Sequence, residues 1–215
     1  TPSPSLPRAA HWGGGKDDVD LLPQLIVNGL INGALLALPA IGLTAIFAVL
    51  RFANFAVASH ATIGAFAGFI ANVQFGVPAP AALLAAFVVA GIAGVITDEI
   101  ALKPMRKTGA LATAIVSIAL TFVLENLVRF GFGNELRGYD LPIFRDWRFG
   151  DLRIGPQQVE NLVLAGVAML LLFLMLGFTR TGKTMRAVAD NPVLANLKGI
   201  NPDAVARLTN FVGMG

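Results

Sequence analysis

Four runs of this chain contain no Asp, Glu, Lys or Arg: residues 21–50, 52–97, 110–124 and 161–179. A helix that crosses the hydrocarbon core of a bilayer needs about 20 mostly apolar residues. The second run is long enough for two such helices, parted by the turn FGVPAP at 75–80. Lipid offers no hydrogen-bonding partner to an open backbone, so segments of this kind fold as helices. The runs therefore predict an all-α, polytopic transmembrane helix bundle of about five spans, at 22–50, 56–73, 81–100, 110–130 and 159–178. Composition agrees: 13% of residues are charged and the mean hydropathy is +0.71, whereas a soluble domain carries about 25% charged residues.

The flanks differ from the bundle. Residues 1–20, TPSPSLPRAAHWGGGKDDVD, are rich in Pro, Gly and Ser and are expected to form a disordered tail. Residues 21–215 are expected to be one membrane domain, incomplete at its C-terminal end, because a new apolar segment begins at NFVGMG. The net charge of +3 is small, and the basic residues sit in short loops, which argues against nucleic acid as a partner. The chain has no Cys and two His, so neither a metal site nor a catalytic constellation is expected.

Lys and Arg near the span ends give the orientation. One side receives Arg51, Lys103, Arg106, Lys107, Arg180, Lys183, Arg186, Lys198 and Arg207, and the other Arg8, Lys16, Arg137, Arg145, Arg148 and Arg153. The richer side is assigned to the cytoplasm and the N-terminus to the outside. Between the fourth and fifth spans, WRF-GD-LRI predicts a short outer hairpin with Gly150-Asp151 as its turn. It suits either a membrane-surface hairpin or a docking surface for a soluble partner.

Inside the bundle, Gly29 with Gly33 and Gly64 with Gly68 have the spacing that lets helix backbones approach closely. Asn28 and Asn32 share a helix face, and Asn54, His60 and Thr62 cluster near the start of the second span. These five polar residues can bond helix to helix or mark a translocation pathway. Glu125 and Arg129, four apart, are expected to pair along their helix.

One motif points elsewhere. GFTRTGKT, at 177–184, fits the phosphate-loop pattern at Gly177, Gly182, Lys183 and Thr184. A phosphate loop follows a buried strand inside a soluble α/β domain. Here a membrane-length apolar run precedes it, so the match is read as a coincidence. Downstream, 183–189 is a helix candidate. Asn191-Pro192 starts another, Val193, Leu194 and Leu197 give that one an apolar stripe, and Gly199 stops it. A helix this short, without Trp or Phe, suits a groove on a soluble protein better than a lipid surface.

The string GKTMRAVADNPVLANLKGIN (182–201) resembles the cytoplasmic coupling loop of bacterial ABC-importer permeases of the branched-chain amino acid type. NGLINGALLALPAIGL (28–43) is similar to that family's first span, RFANFA (51–56) to the element before its second, and KPMR (103–106) to the element after its third. Leu36 stands where the family usually has Tyr, and NFAVASH (54–60) where it typically has Asn-Phe-Ala-His-Gly. The resemblance implies a permease subunit of the inner membrane that carries branched-chain amino acids or related small solutes. It implies that ATP binds a separate ATPase subunit, with no cofactor on this chain. A second permease subunit and a periplasmic binding protein would complete the assembly. Gly182, Lys183, Arg186, Ala187, Asp190, Asn191, Ala195, Gly199 and Ile200 would then form or brace the loop that the ATPase grips. Related permeases serve urea and short amides, and an ATP-independent transporter or channel is the competing reading.

Overall fold

The apolar runs fold as helices. The computed structural model describes residues 17–133, 138–139, 147–149 and 152–215. Helix α1 (Asp17–Leu50) is followed by α2 (Val57–Phe69), which ends in a π turn at Ile70–Gln74. Helix α3 (Ala79–Thr97) runs into a second π turn (Asp98–Leu102), the short α4 (Lys103–Met105) and a 3-10 turn (Arg106–Thr108). Then come α5 (Ala110–Phe132), strands β1 (Trp147–Phe149) and β2 (Leu152–Ile154), α6 (Pro156–Phe178), α7 (Arg180–Asp190), α8 (Pro192–Leu197) and α9 (Pro202–Met214).

Four stretches are long and apolar enough to cross a membrane: Leu22–Leu50, Ala79–Thr108, Ala110–Phe132 and Pro156–Phe178. The expected second span is α2 with its π turn. It spans roughly 27 Å at about 1.5 Å per residue and carries His60, Asn72 and Gln74. It is less apolar than the others because it is enclosed by protein: Val57, Ser59, His60, Gly64 and Gly68 are all buried. Helix α6, by contrast, buries only 6% of its apolar window.

Several local expectations meet the structure in detail. Helix α1 begins at Asp17, inside the segment expected to be a tail. Residues 1–16 lie outside the described residues. α1 continues as one helix through Pro23 and Pro39. Strands β1 and β2 pair antiparallel with Trp147 opposite Ile154 and Phe149 opposite Leu152, while Gly150 and Asp151 lie outside the described residues. The Glu125–Arg129 pair is not among the ion pairs of the described residues, and Arg129 is exposed instead.

The core is organised by α9, which wedges between α1 and α3. The wedge depends on glycine. A Cβ at Gly42 would collide with the carbonyl of Gly213, and one at Gly213 would lie 2.9 Å from Ile46 Cδ1. On the other flank, a Cβ at Gly91 would lie 2.7 Å from the Phe211 ring, and one at Gly94 2.9 Å from Met214 Cβ. Phe211 also meets Phe87 edge to face at 5.4 Å. Between α2 and α3, Gly64 would bring a Cβ to 3.1 Å from Ala90 Cβ, and Gly68 would bring one to 3.3 Å from the Ala82 carbonyl. The other expected packing pair behaves differently. A Cβ at Gly29 or Gly33 meets nothing within 4 Å, so no close helix approach forms there among the described residues.

Charges fasten the ends of α3 and α9 together. Asp98, 1% exposed, pairs with Arg106, whose guanidinium also lies 5.9 Å from the Phe52 ring centre. Lys103 Nζ lies 2.9 Å from Glu99 and 3.4 Å from Asp203, and Arg207 lies 3.8 Å from Glu99. Only the first of these pairs is deeply buried. The exposed ones contribute about 0–1 kcal/mol each.

Gly42→Val should destabilise the detergent-solubilised protein by about 1–3 kcal/mol, since the obstacle is backbone and cannot rotate away. Gly33→Ala should leave stability unchanged or raise it by up to about 1 kcal/mol. Thermal unfolding in one detergent compares both. Arg106→Met should cost about 3–5 kcal/mol, because it leaves Asp98 buried without its partner. Adding Asp98→Asn to Arg106→Met should recover part of that loss in the same assay.

Candidate functional site

One face of the bundle gathers the end of α1, the α3–α5 connection and the whole of α7 and α8. The contacts of Arg51 with Ala189 and of Lys103 with Asp203 place these segments together. Eight of the nine basic residues assigned from sequence to the richer side lie in or directly beside these segments, and the ninth, Arg207 of α9, lies 3.8 Å from Glu99 of the α3–α5 connection.

The corner between α6 and α7 carries GFTRTGKT. Thr179 breaks the helix with an extended backbone and caps α7: its Oγ1 accepts the Gly182 N–H at 3.1 Å, and its carbonyl accepts the Lys183 N–H at 3.2 Å. Residues 180–184 are therefore helical turns rather than a loop. Gly182 is buried, and a Cβ there would collide with the Met175 and Leu176 carbonyls of α6. Its role in this geometry is to let α7 fold back tightly on α6.

Helix α7 is strongly two-faced. Gly182, Met185 and Val188 are buried, whereas Lys183, Arg186 and Asp190 are exposed. Met185 and Val188 pack with Ala195 of α8 and Val205 of α9, against Val49 of α1 and Met175 and Leu176 of α6. Arg186 reaches back to donate to the Gly177 carbonyl at 3.2 Å, satisfying an acceptor at the end of α6.

Helix α8 is held at both ends. Asn191 accepts the Leu194 N–H at 3.0 Å, and Pro192 opens the first turn. At the other end Gly199 adopts φ +83°. Its N–H donates to Asn196 O at 2.9 Å, and that of Ile200 donates to Ala195 O at 3.0 Å, the pattern of a Schellman stop. Ala195 is buried and anchors the helix, while Val193, Leu194 and Leu197 are 70%, 53% and 80% exposed. The result is a short, rigid knob with a bare apolar face. Ala187 and Ile200 lie half-buried at its base.

The expected pathway residues are not brought together. Asn54 and His60 are fully buried where α2 starts, and Thr62 is half-buried with its hydroxyl bonded to Ala58 O. His60 Nδ1 is 2.7 Å from Ala56 O and Nε2 is 2.8 Å from Thr97 Oγ1, so the ring fastens α2 to α3. Asn28 and Asn32 sit on the other half of α1, about 20 residues and so roughly 30 Å of helix away from its end at Leu50. Asn28 accepts from Gln24 at 3.1 Å, and Asn32 is exposed.

Three residues that sequence reasoning did not single out stand out. Arg51 has positive φ, Asp98 is a buried acid, and Asn210 is 0% exposed with neither amide atom bonded among the described residues. Asp98 carried a signal, since an acid closing a charge-free run with Arg eight residues on is a candidate pair. Asn210 carried only its place in the apolar NFVGMG onset.

Comparison with known proteins agrees with this architecture. The model of the family described as branched-chain amino acid transport system / permease component matches residues 25–215. The high-affinity branched-chain amino acid transport system permease protein BraD of Pseudomonas aeruginosa is 28% identical, over 88% of this chain and 66% of its own length. LivH of Escherichia coli, with the same description, is 29% identical over the same shares. The probable branched-chain amino acid transport permease protein LivH of Methanocaldococcus jannaschii is 30% identical, over 91% of this chain and 64% of its own length. The chain thus spans slightly less than two thirds of these relatives. No solved structure matches it. Its apolar helices and its relatives make it a multi-pass protein of the bacterial inner membrane. With nearly the whole chain matched, it belongs to the family of branched-chain amino acid transport permease components.

Proposed function

We propose that this chain is the membrane-spanning permease subunit of an ABC importer for branched-chain amino acids or related small solutes, and that it is not itself an enzyme. The observation that carries this reading is α8: a knob capped at both ends, with three bare apolar side chains, on the face richest in Lys and Arg. A channel or an ATP-independent transporter has no use for such a knob. A separate ATPase subunit has, because a rigid helix seated in its groove turns nucleotide-driven closure into movement of the bundle. In this reading ATP is bound by that subunit and this chain takes no cofactor.

The remaining partners follow from the same reading. The basic face is cytoplasmic by the distribution of Lys and Arg. A periplasmic binding protein delivers solute to the opposite face, near the β1–β2 hairpin. A second permease subunit completes the pathway, and the open face of α1 that carries Asn32, Gly29 and Gly33 is available to it. Alternating access then runs from ATPase closure, through α7 and α8, to the bundle.

The test is co-purification of the full-length permease with its ATPase in mild detergent. Wild type should retain the ATPase. Leu197→Asp should lose about 2 kcal/mol or more of binding, as a truncated hot spot does, with thermal stability unchanged because the side chain is 80% exposed. Gly199→Pro and Arg186→Glu should also lose the ATPase. A folded permease that retains no ATPase would sink the importer reading and point to ATP-independent flux.

A second outcome concerns the phosphate-loop pattern. Photolabelling with an azido-ATP analogue should mark the ATPase subunit and leave the purified permease unmarked, and Lys183→Ala should change nothing in the complex's labelling. Labelling of the isolated permease that Lys183→Ala abolishes would overturn the assignment of ATP to the partner.

A further inference from the structure

We propose that the six-residue segment Arg51–Ala56 is the junction that conveys movement of α7 and α8 into the bundle, with Arg51 as its positioning residue. This rests on the importer reading above.

The geometry of Arg51 is unusual. It is the sole non-glycine residue with positive φ (60°) among the described residues. Its N–H closes the last turn of α1 on Phe47 O at 2.9 Å. Its Nη2 donates to the carbonyl of Ala189, in the last turn of α7. That carbonyl belongs to the set a helix leaves without an internal partner. A cation there also meets the negative end of the α7 dipole. The left-handed backbone at position 51 is strained for a long side chain such as arginine's and easy for glycine. It is held in this structure together with a contact that only a long donor side chain could make.

Three of the residues that follow have partners of their own. The Phe52 ring, 3% exposed, lies 5.9 Å from the Arg106 guanidinium, which pairs with Asp98 at the end of α3. Asn54 Oδ1 accepts the Ala56 N–H at 3.1 Å and so shapes the entry to α2. The Phe55 N–H donates to Ser117 Oγ of α5 at 3.1 Å. One short segment is therefore tied to α7, the α3 end, α5 and α2.

The other links between α7 and α1 are of a different kind. Val49 packs against the apolar cluster of Met185 and Val188. Apolar packing is non-directional and permits sliding. The Arg51–Ala189 hydrogen bond is directional and fixes position along the axis. Without it, α7 can move while α1 and α2 stay behind.

The experiment uses the complete importer in proteoliposomes, with uptake and ATP hydrolysis measured on the same preparation. Arg51→Gly keeps a residue at ease at positive φ and deletes the guanidinium. Arg51→Gln and Arg51→Lys retain a shorter donor, the second with its charge. Arg51→Gly and Arg51→Gln should keep the ATPase bound and hydrolysing, with uptake per ATP reduced about tenfold or more. Arg51→Lys should restore a substantial part of that ratio. A structural role alone would lower thermal stability and leave the ratio of the surviving complexes unchanged.

Wild-type coupling in Arg51→Gly would overturn the proposal. So would loss of the ATPase from a stably folded Arg51→Gly, since Arg51 would then act in docking. Should Arg51→Gly fail to fold, Arg51→Gln is read by the same criteria. Failure of the underlying reading looks different: wild type itself would retain no ATPase.

Discussion

The fold depends on how closely α9 approaches α1 and α3. Helices in lipid gain nothing from hiding apolar side chains, because the acyl chains are equally apolar. What remains is packing and hydrogen bonding, and packing improves as backbones draw together. Gly42 and Gly213 face each other on one flank of α9, while Gly91 and Gly94 receive Phe211 and Met214 on the other. A methyl group at any of these points would meet backbone or a buried side chain. The same contacts decide where α9 begins, and Asn201, its N-cap, lies two residues beyond Gly199 at the end of α8. The position of α8 is therefore inherited from glycines deep in the bundle.

Rigidity and exposure are divided sharply on the basic face. Helix α7 buries one side in a cluster drawn from α1, α6, α8 and α9. Helix α8 buries Ala195 alone. Two turns of isolated helix would not persist in water. They persist here because Asn191 and the Gly199 stop satisfy the terminal donors and acceptors, and because Ala195 is anchored. The three exposed apolar residues are thus presented in one fixed geometry, which lowers the ordering cost of any docking event.

Much of this was legible in the sequence, and what was not legible shares a physical reason. The spans were visible because a charge-free run of membrane length has few other uses. The hairpin was visible because its two strand segments flank Gly-Asp in the sequence. The start and stop of α8 were visible because Asn-Pro and Gly act locally. Spacing, however, says which residues share a helix face and not what that face meets. Gly29–Gly33 and Gly64–Gly68 have identical spacing, yet the first pair looks onto open space and the second onto α3. Asn28 and Asn32 read like Asn54 and His60 but lie in the first half of α1, far from the entry to α2 where the other two are buried. The strained backbone at Arg51 left no mark in the sequence at all, since Arg is not a residue that announces positive φ.

The phosphate-loop match shows the same limit from the other side. The pattern specifies residue types, whereas a phosphate needs free backbone N–H groups pointing into a common space. At the α6–α7 corner, the Gly182 and Lys183 N–H groups are already taken by the hydroxyl and the carbonyl of Thr179. Glycine contributes the same property in both settings, the absence of a Cβ. In a phosphate loop that absence admits a ligand, and here it admits the carbonyls of α6. The basic side chain that completes the pattern is likewise explained by place, because Lys183 lies where a membrane helix emerges on the Lys- and Arg-rich face. Gly182 and Lys183 thus have physical reasons that involve no nucleotide, and a Cβ at Gly177 would meet nothing within 4 Å. The proposal that ATP binds a partner rests on those reasons together with α8, the feature next along the chain that a nucleotide-binding domain would have no need to display.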